Sequence, residues 1–253
     1  TVRACNEAIT DRTKVMVVSH VTSPTAAILP VKRICELAQE RGIVTAIDGP
    51  HAVAMLDLHL DDIGCDFYCA SCHKWLCAPF GSGFLWADPK HHGQIRSPIV
   101  SWGGSMSGRS ARWQDRTNWW GSRDPAPLLT IPAAIEFLTD QGLDTFRAHA
   151  HALACHARRR LLEIEGIGPL CTTDESQFVS MCAVELPQPR SWKSGYQGHL
   201  DPLQIELRRD HGIETQVRSW NGRRFLRVSA HLYNSEDEME RMVDAVSGSK
   251  ELR

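Results

Sequence analysis

An α/β fold, with a mainly parallel sheet flanked by helices and a smaller C-terminal α+β domain, is what the sequence predicts. Two observations carry this. Between residues 15 and 100, short apolar runs alternate with helical patterns, the signature of βαβ units. From about residue 143 the rhythm changes to a long helical stripe followed by isolated strands and helices. The predicted division is therefore a larger domain over 1–142 and a smaller one over 143–253.

In chain order, Thr1–Ile9 reads as the middle of a helix and Lys14–His20 as a buried strand. Pro30–Gly42 carries apolar residues at 31, 34, 35 and 38, with Pro opening the helix and Gly closing it. Ile43–Ile47 is the next strand and stops abruptly at Asp48-Gly-Pro50; Asp66–Ala70 and Gly83–Ala87 are two more. Arg96–Pro132 is rich in Gly, Ser, Trp and Arg with little periodicity, which marks a loop region at an active site or interface. In the second part, 144–164 is a long helix with Phe146, His149, Ala150, Leu153, Ala154, Ala157, Leu161 and Ile164 on one stripe and Arg147 and Arg158–Arg160 partly solvated. A strand at Phe178–Leu186, a helix from Asp201 to Gly212 and a strand at Phe225–Ala230 follow. The last helix opens on a capping box, Ser235 to Glu238, and carries Met239, Met242, Val243 and Val246 on one face.

Bulk properties narrow the function. With Lys+Arg 28 against Asp+Glu 30, the 253 residues carry a formal net charge of -2 with both signs interspersed, so neither nucleic acid nor an anionic membrane is expected as partner. The longest apolar runs are far too short for a spanning helix, and the chain reads as soluble. Nine cysteines, an odd number, predict free thiols and a cytoplasmic setting. Because the chain opens on Thr1 without Met or signal-like regions, a missing N-terminal segment is expected.

The stretch Cys69–Phe84, CASCHKWLCAPFGSGF, concentrates the chemistry. Cys69 and Cys72 form one C-x-x-C pair with no second pair at zinc-like spacing, so no metal is expected and the cysteines, with Cys155, Cys171 and Cys182, read as small buried thiols. Lys74 precedes Gly81-Ser-Gly83 instead of following it, which argues against a nucleotide loop. Ligands of open α/β sheets sit beyond the carboxyl ends of the strands. Three strands here end in polar groups: Ser19-His20, Asp48 with His51, and Ser71 with His73 and Lys74. A lysine for a Schiff base, a carboxylate for a pyridine nitrogen and donors for phosphate are what pyridoxal phosphate requires. On spacing alone, a solvated lysine beside a turn-forming Asp-Gly is an equally good account.

Ile47-Asp-Gly-Pro-His-Ala52, Leu56-Asp-Leu58, Gly64–Tyr68, His73-Lys-Trp-Leu76 and Pro79–Leu85, in this order, resemble the class V aminotransferase family of pyridoxal-phosphate enzymes. Ser19–Thr25, Val100–Gly103, Gly121–Pro125, Pro132–Phe137 and Phe225–Ser229 extend the resemblance over nearly the whole chain, towards isopenicillin N epimerase-like members. The resemblance implies the large domain of fold type I and pyridoxal 5'-phosphate as cofactor. It implies that Lys74 binds the cofactor covalently, that Asp48 pairs with the pyridine nitrogen and that His51 contacts the ring hydroxyl, with Ser23 near the same group. Ser71 and His73 would bind phosphate, Ser122 would reach the phosphate from the neighbouring subunit of a homodimer, and Arg227 would anchor a substrate carboxylate. Without the resemblance, Arg227 is an arginine on the wet face of a half-buried strand.

Two departures follow. The family's N-terminal segment, with further phosphate ligands and a side chain stacked on the ring, has no counterpart before Thr1. Cysteine desulfurases of the class carry a reactive cysteine shortly before the substrate arginine, and none lies between Cys182 and Arg227. The expected function is pyridoxal-phosphate chemistry at the α-carbon of an amino acid or amino-acid-like substrate, by epimerisation, transamination or elimination. The alternative is a truncated, non-catalytic homologue that serves as a dimerising or binding module.

Overall fold

The computed structural model describes residues 1–105, 108–170, 174–188 and 200–252. Cys171 lies outside the described residues. The chain divides into two compact units. The first comprises Thr1–His20, Pro30–Val53 and Leu58–Phe137; the second comprises Val21–Leu29, Ala54–Asp57 and Leu138–Arg253.

The first unit is built on a four-stranded sheet in the order β1 (Val15–Ser19), β2 (Val44–Asp48), β3 (Phe67–Ser71), β4 (Gly83–Ala87). β1, β2 and β3 run parallel, so Ser19, Asp48 and Ser71 all end at one edge; β4 returns antiparallel. Helix α1 (Val2–Ala8) precedes β1, and α2 (Val31–Glu40) connects β1 to β2. The apolar positions 31, 34, 35 and 38 of α2 are its buried ones, so its helical periodicity translates directly into packing. A short helix, α3 (Leu60–Ile63), ends at Gly64 in the left-handed conformation and leads into β3.

The Asp66 carboxylate ties the start of β3 to both neighbours. It accepts from Thr45 N at 2.7 Å and His91 Nε2 at 2.7 Å, and pairs with Lys90 Nζ at 2.7 Å. Although burial opposes ionisation, these bonds to Lys90, His91 and Thr45 hold the carboxyl well below the usual carboxylate range. Row by row, Ser19, Asp48, Cys69 and Leu85 share one sheet face with Val17. That face is open: Val17 is 73% exposed and Leu85 43%. The opposite face carries Ile47, Tyr68 and Ala70, all buried.

The aperiodic stretch after residue 96 holds more order than the sequence suggests. It contains α4 (Trp113–Asn118) and α5 (Ala126–Leu129), and α6 (Ile131–Gln141) follows. Helices this short bury little and leave no readable stripe: α4 and α5 have no buried residue.

The second unit packs α7 (Leu143–Leu162) and α9 (Glu236–Gly248) with an antiparallel sheet in the order β5 (Gly168–Pro169), β6 (Met181–Leu186), β8 (Arg223–Ser229), β7 (Gln216–Trp220). Helix α8 (Pro202–His211) packs against β7 and α9. The expected capping box of α9 is present, with Ser235 Oγ accepting from Glu238 N and Glu238 accepting from Ser235 N. The strand expected from Phe178 starts only at Met181, because a short turn at Glu175–Gln177 precedes it. Strand β7 escapes the sequence reading because Gln216-Val-Arg-Ser-Trp220 has one buried residue, Val217.

A buried ion pair lies in this core. Arg224, with no exposed surface, donates from Nε and Nη2 to Asp201 at 2.8 and 2.5 Å, and Asp201 also caps α8 through Leu203 N. Removing one partner of such a pair strands the other charge. Asp201→Ala is expected to cost about 3–5 kcal/mol, read as a lower urea midpoint at unchanged slope. A cost below about 1 kcal/mol would mean that the carbonyls of Pro187 and Glu251, which also accept from Arg224, satisfy it alone.

Candidate functional site

The carboxyl edge of the parallel strands gathers the polar residues of the first unit. Asp48 ends β2, accepts from Ser19 Oγ at 3.4 Å and, through its carbonyl, from His20 N at 2.9 Å. Gly49 follows because the Tyr68 ring passes directly over it; a Cβ there would lie 2.2 Å from the ring. The turn closed by Ala52 N on Gly49 O then brings round His51, which is buried.

His51 uses both ring nitrogens. Its Nδ1 accepts from the indole Nε1–H of Trp75 at 3.2 Å, and its Nε2 lies 3.1 Å from Nζ of Lys74. His20 Nδ1, from the residue after β1, meets the Tyr68 hydroxyl at 3.0 Å. Burial lowers the His20 pKa to about 4 and raises that of Tyr68, so both are uncharged at neutral pH.

Ser71 ends β3, and the chain returns to β4 through a tight turn. Ser82 Oγ donates to Pro79 O at 2.6 Å, and Cys72 N donates to Ser82 O at 3.1 Å. A Cβ on Gly83 would come within 2.7 Å of Ala70 O, so the return needs glycine. Gly81-Ser-Gly83 thus builds the hairpin that carries Ser71, His73 and Lys74. His73 lies against the Phe80 ring, with centroids 4.8 Å apart, and its buried Nδ1 has no hydrogen-bond partner among the described residues. A cleft beside Ser71 is lined by Phe84, Arg96, Trp113, Trp120 and Arg123.

The cysteines of this stretch divide. Cys65 and Cys72 are buried thiols as expected, whereas Cys69 and Cys77 are exposed: Cys69 falls on the open sheet face, and Cys77 follows Lys74 in a turn at positive φ. Among the described residues, no group of three His, Cys, Asp or Glu side chains is placed to hold a metal ion, and no helix is long and apolar enough to cross a membrane.

The second unit contributes a different element. Arg227 on β8 donates from Nη1 to Ser23 O at 2.8 Å and Ser23 Oγ at 3.1 Å, while its buried Nε has no partner among the described residues. Among the described residues no carboxylate pairs with it. Burial, aided by the charge of Arg218, lowers its pKa from the usual guanidinium value. The strand face expected to be wet is in fact partly desolvated, since Phe225 on the same face is buried.

The family model for the class V aminotransferases matches residues 1–242. The chain belongs to the class V aminotransferase family. Among relatives of this class V chain, isopenicillin N epimerase of Amycolatopsis lactamdurans is 35% identical over 97% of the chain and 62% of the relative. The isopenicillin N epimerase of Streptomyces clavuligerus is 36% identical over 93% and 60%. A probable cysteine desulfurase of Halalkalibacterium halodurans is 27% identical over 96% and 60%. The class V chain therefore spans about 60% of the length of these relatives.

Its fold is shared with solved cysteine desulfurases of fold type I. That of Thermococcus onnurineus NA1 superposes with a TM-score of 0.78 at 19% identity, over 97% of this chain and 62% of the other. CsdA of Escherichia coli superposes with a TM-score of 0.75 at 22% identity, over 97% and 61%. Membership of the class V aminotransferases implies pyridoxal 5'-phosphate as the cofactor.

The residues present fit that group. A class V site needs a lysine amine, a carboxylate and phosphate donors, and the first unit offers Lys74, Asp48, Ser71 and the orphaned imidazole nitrogen of His73 at one sheet edge. Lys74 and His51 are in direct contact. Ser23, expected near the ring hydroxyl, stands against Arg227 in the second unit, and Ser122 is exposed in the bend between α4 and α5. Sequence reasoning missed Trp75 and Phe80 as partners of His51 and His73. Trp75 lies 24 positions from His51, so only folding reveals the pair.

Proposed function

We propose that this chain works as a pyridoxal-phosphate-dependent enzyme at the α-carbon of an amino acid or amino-acid-like substrate, in the manner of isopenicillin N epimerase. The observation that carries the reading is Lys74 Nζ within 3.1 Å of His51 Nε2, at the carboxyl edge where β2 ends in Asp48. Bound there, pyridoxal phosphate supplies an electron sink that acidifies a Cα–H bond. Lys74 would hold the cofactor covalently and, once released, take and return the α-proton through Nζ. Asp48 would keep the pyridine nitrogen protonated, His51 would hold the ring hydroxyl, and Ser71 with His73 Nδ1 would bind phosphate.

Arg227 would clamp the substrate carboxylate: a desolvated guanidinium whose Nε is unsatisfied and which has no acidic partner among the described residues is suited to a two-point carboxylate contact. The same set of groups argues against a non-catalytic module. Desulfuration through a cysteine before the arginine is disfavoured, because none lies between Cys182 and Arg227. The exposed and buried free thiols suit a reducing, cytoplasmic setting.

A homodimer belongs to this reading. The first unit exposes Phe80 at 83%, Val100 at 98%, Trp102 at 68% and Leu129 at 72%, in and around the region that carries Ser122. So much apolar surface is characteristic of an interface, and a second copy would bring Ser122 to the partner's phosphate. Sedimentation is expected to show a dimer that Val100→Glu weakens at least tenfold; a wild-type monomer at micromolar concentration would remove the dimer from the proposal. The reaction itself is tested by adding pyridoxal phosphate and following α-proton exchange of a panel of amino acids in deuterated water. Exchange with at least one is expected, and none with any would sink the α-carbon chemistry.

A further inference from the structure

The contacts of His51 contain information that the family likeness does not. An indole N–H can only donate, so His51 Nδ1, 3.2 Å from Trp75 Nε1, must offer its lone pair. A neutral imidazole then carries its proton on Nε2, the nitrogen 3.1 Å from Lys74 Nζ. An ammonium has three donors and no acceptor, and would face that N–H donor to donor. The opposite tautomer would accept from an ammonium but turn its Nδ1–H onto the Trp75 N–H. An imidazolium would turn its Nδ1–H onto the Trp75 N–H whatever the state of Lys74. Only one assignment satisfies both contacts: Nε2–H on His51 and a neutral amine on Lys74.

We propose that Trp75 is a positioning residue whose indole N–H fixes the tautomer of His51, so that Nε2–H donates to Lys74 and holds the lysine as the uncharged, nucleophilic amine. This deepens, and rests on, the reading of Lys74 as the cofactor-binding lysine. Trp75 and His51 are both buried, which protects the contact from competition by water. Titratable groups carried by the same strand ends and hairpin include Asp48, His20, Tyr68, Cys69, His73 and Cys77. Burial keeps His20 neutral and pushes the Tyr68, Cys69 and Cys77 groups towards their protonated, uncharged forms. The Asp48 carboxylate favours an ammonium, and so opposes the effect of Trp75.

The test uses the full chain without added cofactor, with nitrogen-15 in histidine and carbon-13 in the lysine Cε. Loss of signals in His51→Asn and Lys74→Ala assigns the two residues. At pH 8 the wild type is expected to show His51 protonated at Nε2 and bare at Nδ1. Lys74 is expected to be mostly the amine at that pH, which means titration more than about two pH units below an ordinary lysine and an amine-to-ammonium ratio at least about a hundredfold larger. In Trp75→Phe the tautomers should mix, and the amine fraction should fall at least threefold. A wild-type Nδ1–H tautomer, an ordinary Lys74 titration, or a Trp75→Phe protein unchanged in both signals overturns the proposal. If Trp75→Phe does not fold, the two wild-type signals decide. Visible absorbance on adding pyridoxal phosphate separates the two readings. An adduct with His51 in the other tautomer overturns the role of Trp75 and leaves the cofactor reading standing. The Nε2–H tautomer with early Lys74 titration and no adduct does the reverse.

Discussion

Lys74→Ala is expected to abolish the visible absorbance that wild type develops with pyridoxal phosphate, and to slow α-proton exchange at least about 1000-fold. In the proposed reading two roles converge on Nζ, the covalent hold on the cofactor and the proton transfer at the α-carbon, so a single substitution would remove both. Its neighbours argue that the loss is chemical: Lys74 sits on the hairpin closed by Ser82 and Gly83, whose bonds do not involve its side chain. The variant should melt within a few degrees of wild type. An absorbance band that survives in Lys74→Ala would place the cofactor on another amine.

Arg227→Met should lower kcat/KM about 100-fold, mostly through KM, because a charge-assisted pair to a substrate carboxylate is worth roughly 1.5–3 kcal/mol per bond before compensation. Arg227→Lys should recover only part, since an ammonium cannot make the forked contact. Stability separates this from a structural role. Arg227 is desolvated, has an unsatisfied Nε, and gives its Nη1 bonds to the carbonyl and hydroxyl of Ser23 rather than to a carboxylate. Replacing such a cation by an apolar side chain should leave the melting temperature unchanged or raise it. A large drop in stability with unchanged KM would make Arg227 a structural residue.

Much of this was legible in the chain itself. Periodicity at 31, 34, 35 and 38 identified the buried face of α2, and the Ser235–Glu238 box located the start of α9, because both signals are local and depend on neighbours within one or two turns. The same holds for the strands whose apolar runs end in Ser19, Asp48 and Ser71. Short elements with little buried surface, such as α4, α5 and β7, left no pattern to read.

The sequence by itself determined the family, the strands that end in polar groups and the lysine that stands beyond β3. Tertiary structure alone decided the partnerships: Trp75 on His51, His51 on Lys74, Phe80 on His73, and Ser23 on Arg227 across 204 positions. It also joined Val21–Leu29 and Ala54–Asp57 to the C-terminal unit, where Arg147 donates to the carbonyls of Ala54 and Leu56. The reason is physical. Secondary structure follows from the repeat of side chains along the chain, whereas a proton's position on His51 depends on which donor another segment brings to within 3.2 Å of Nδ1.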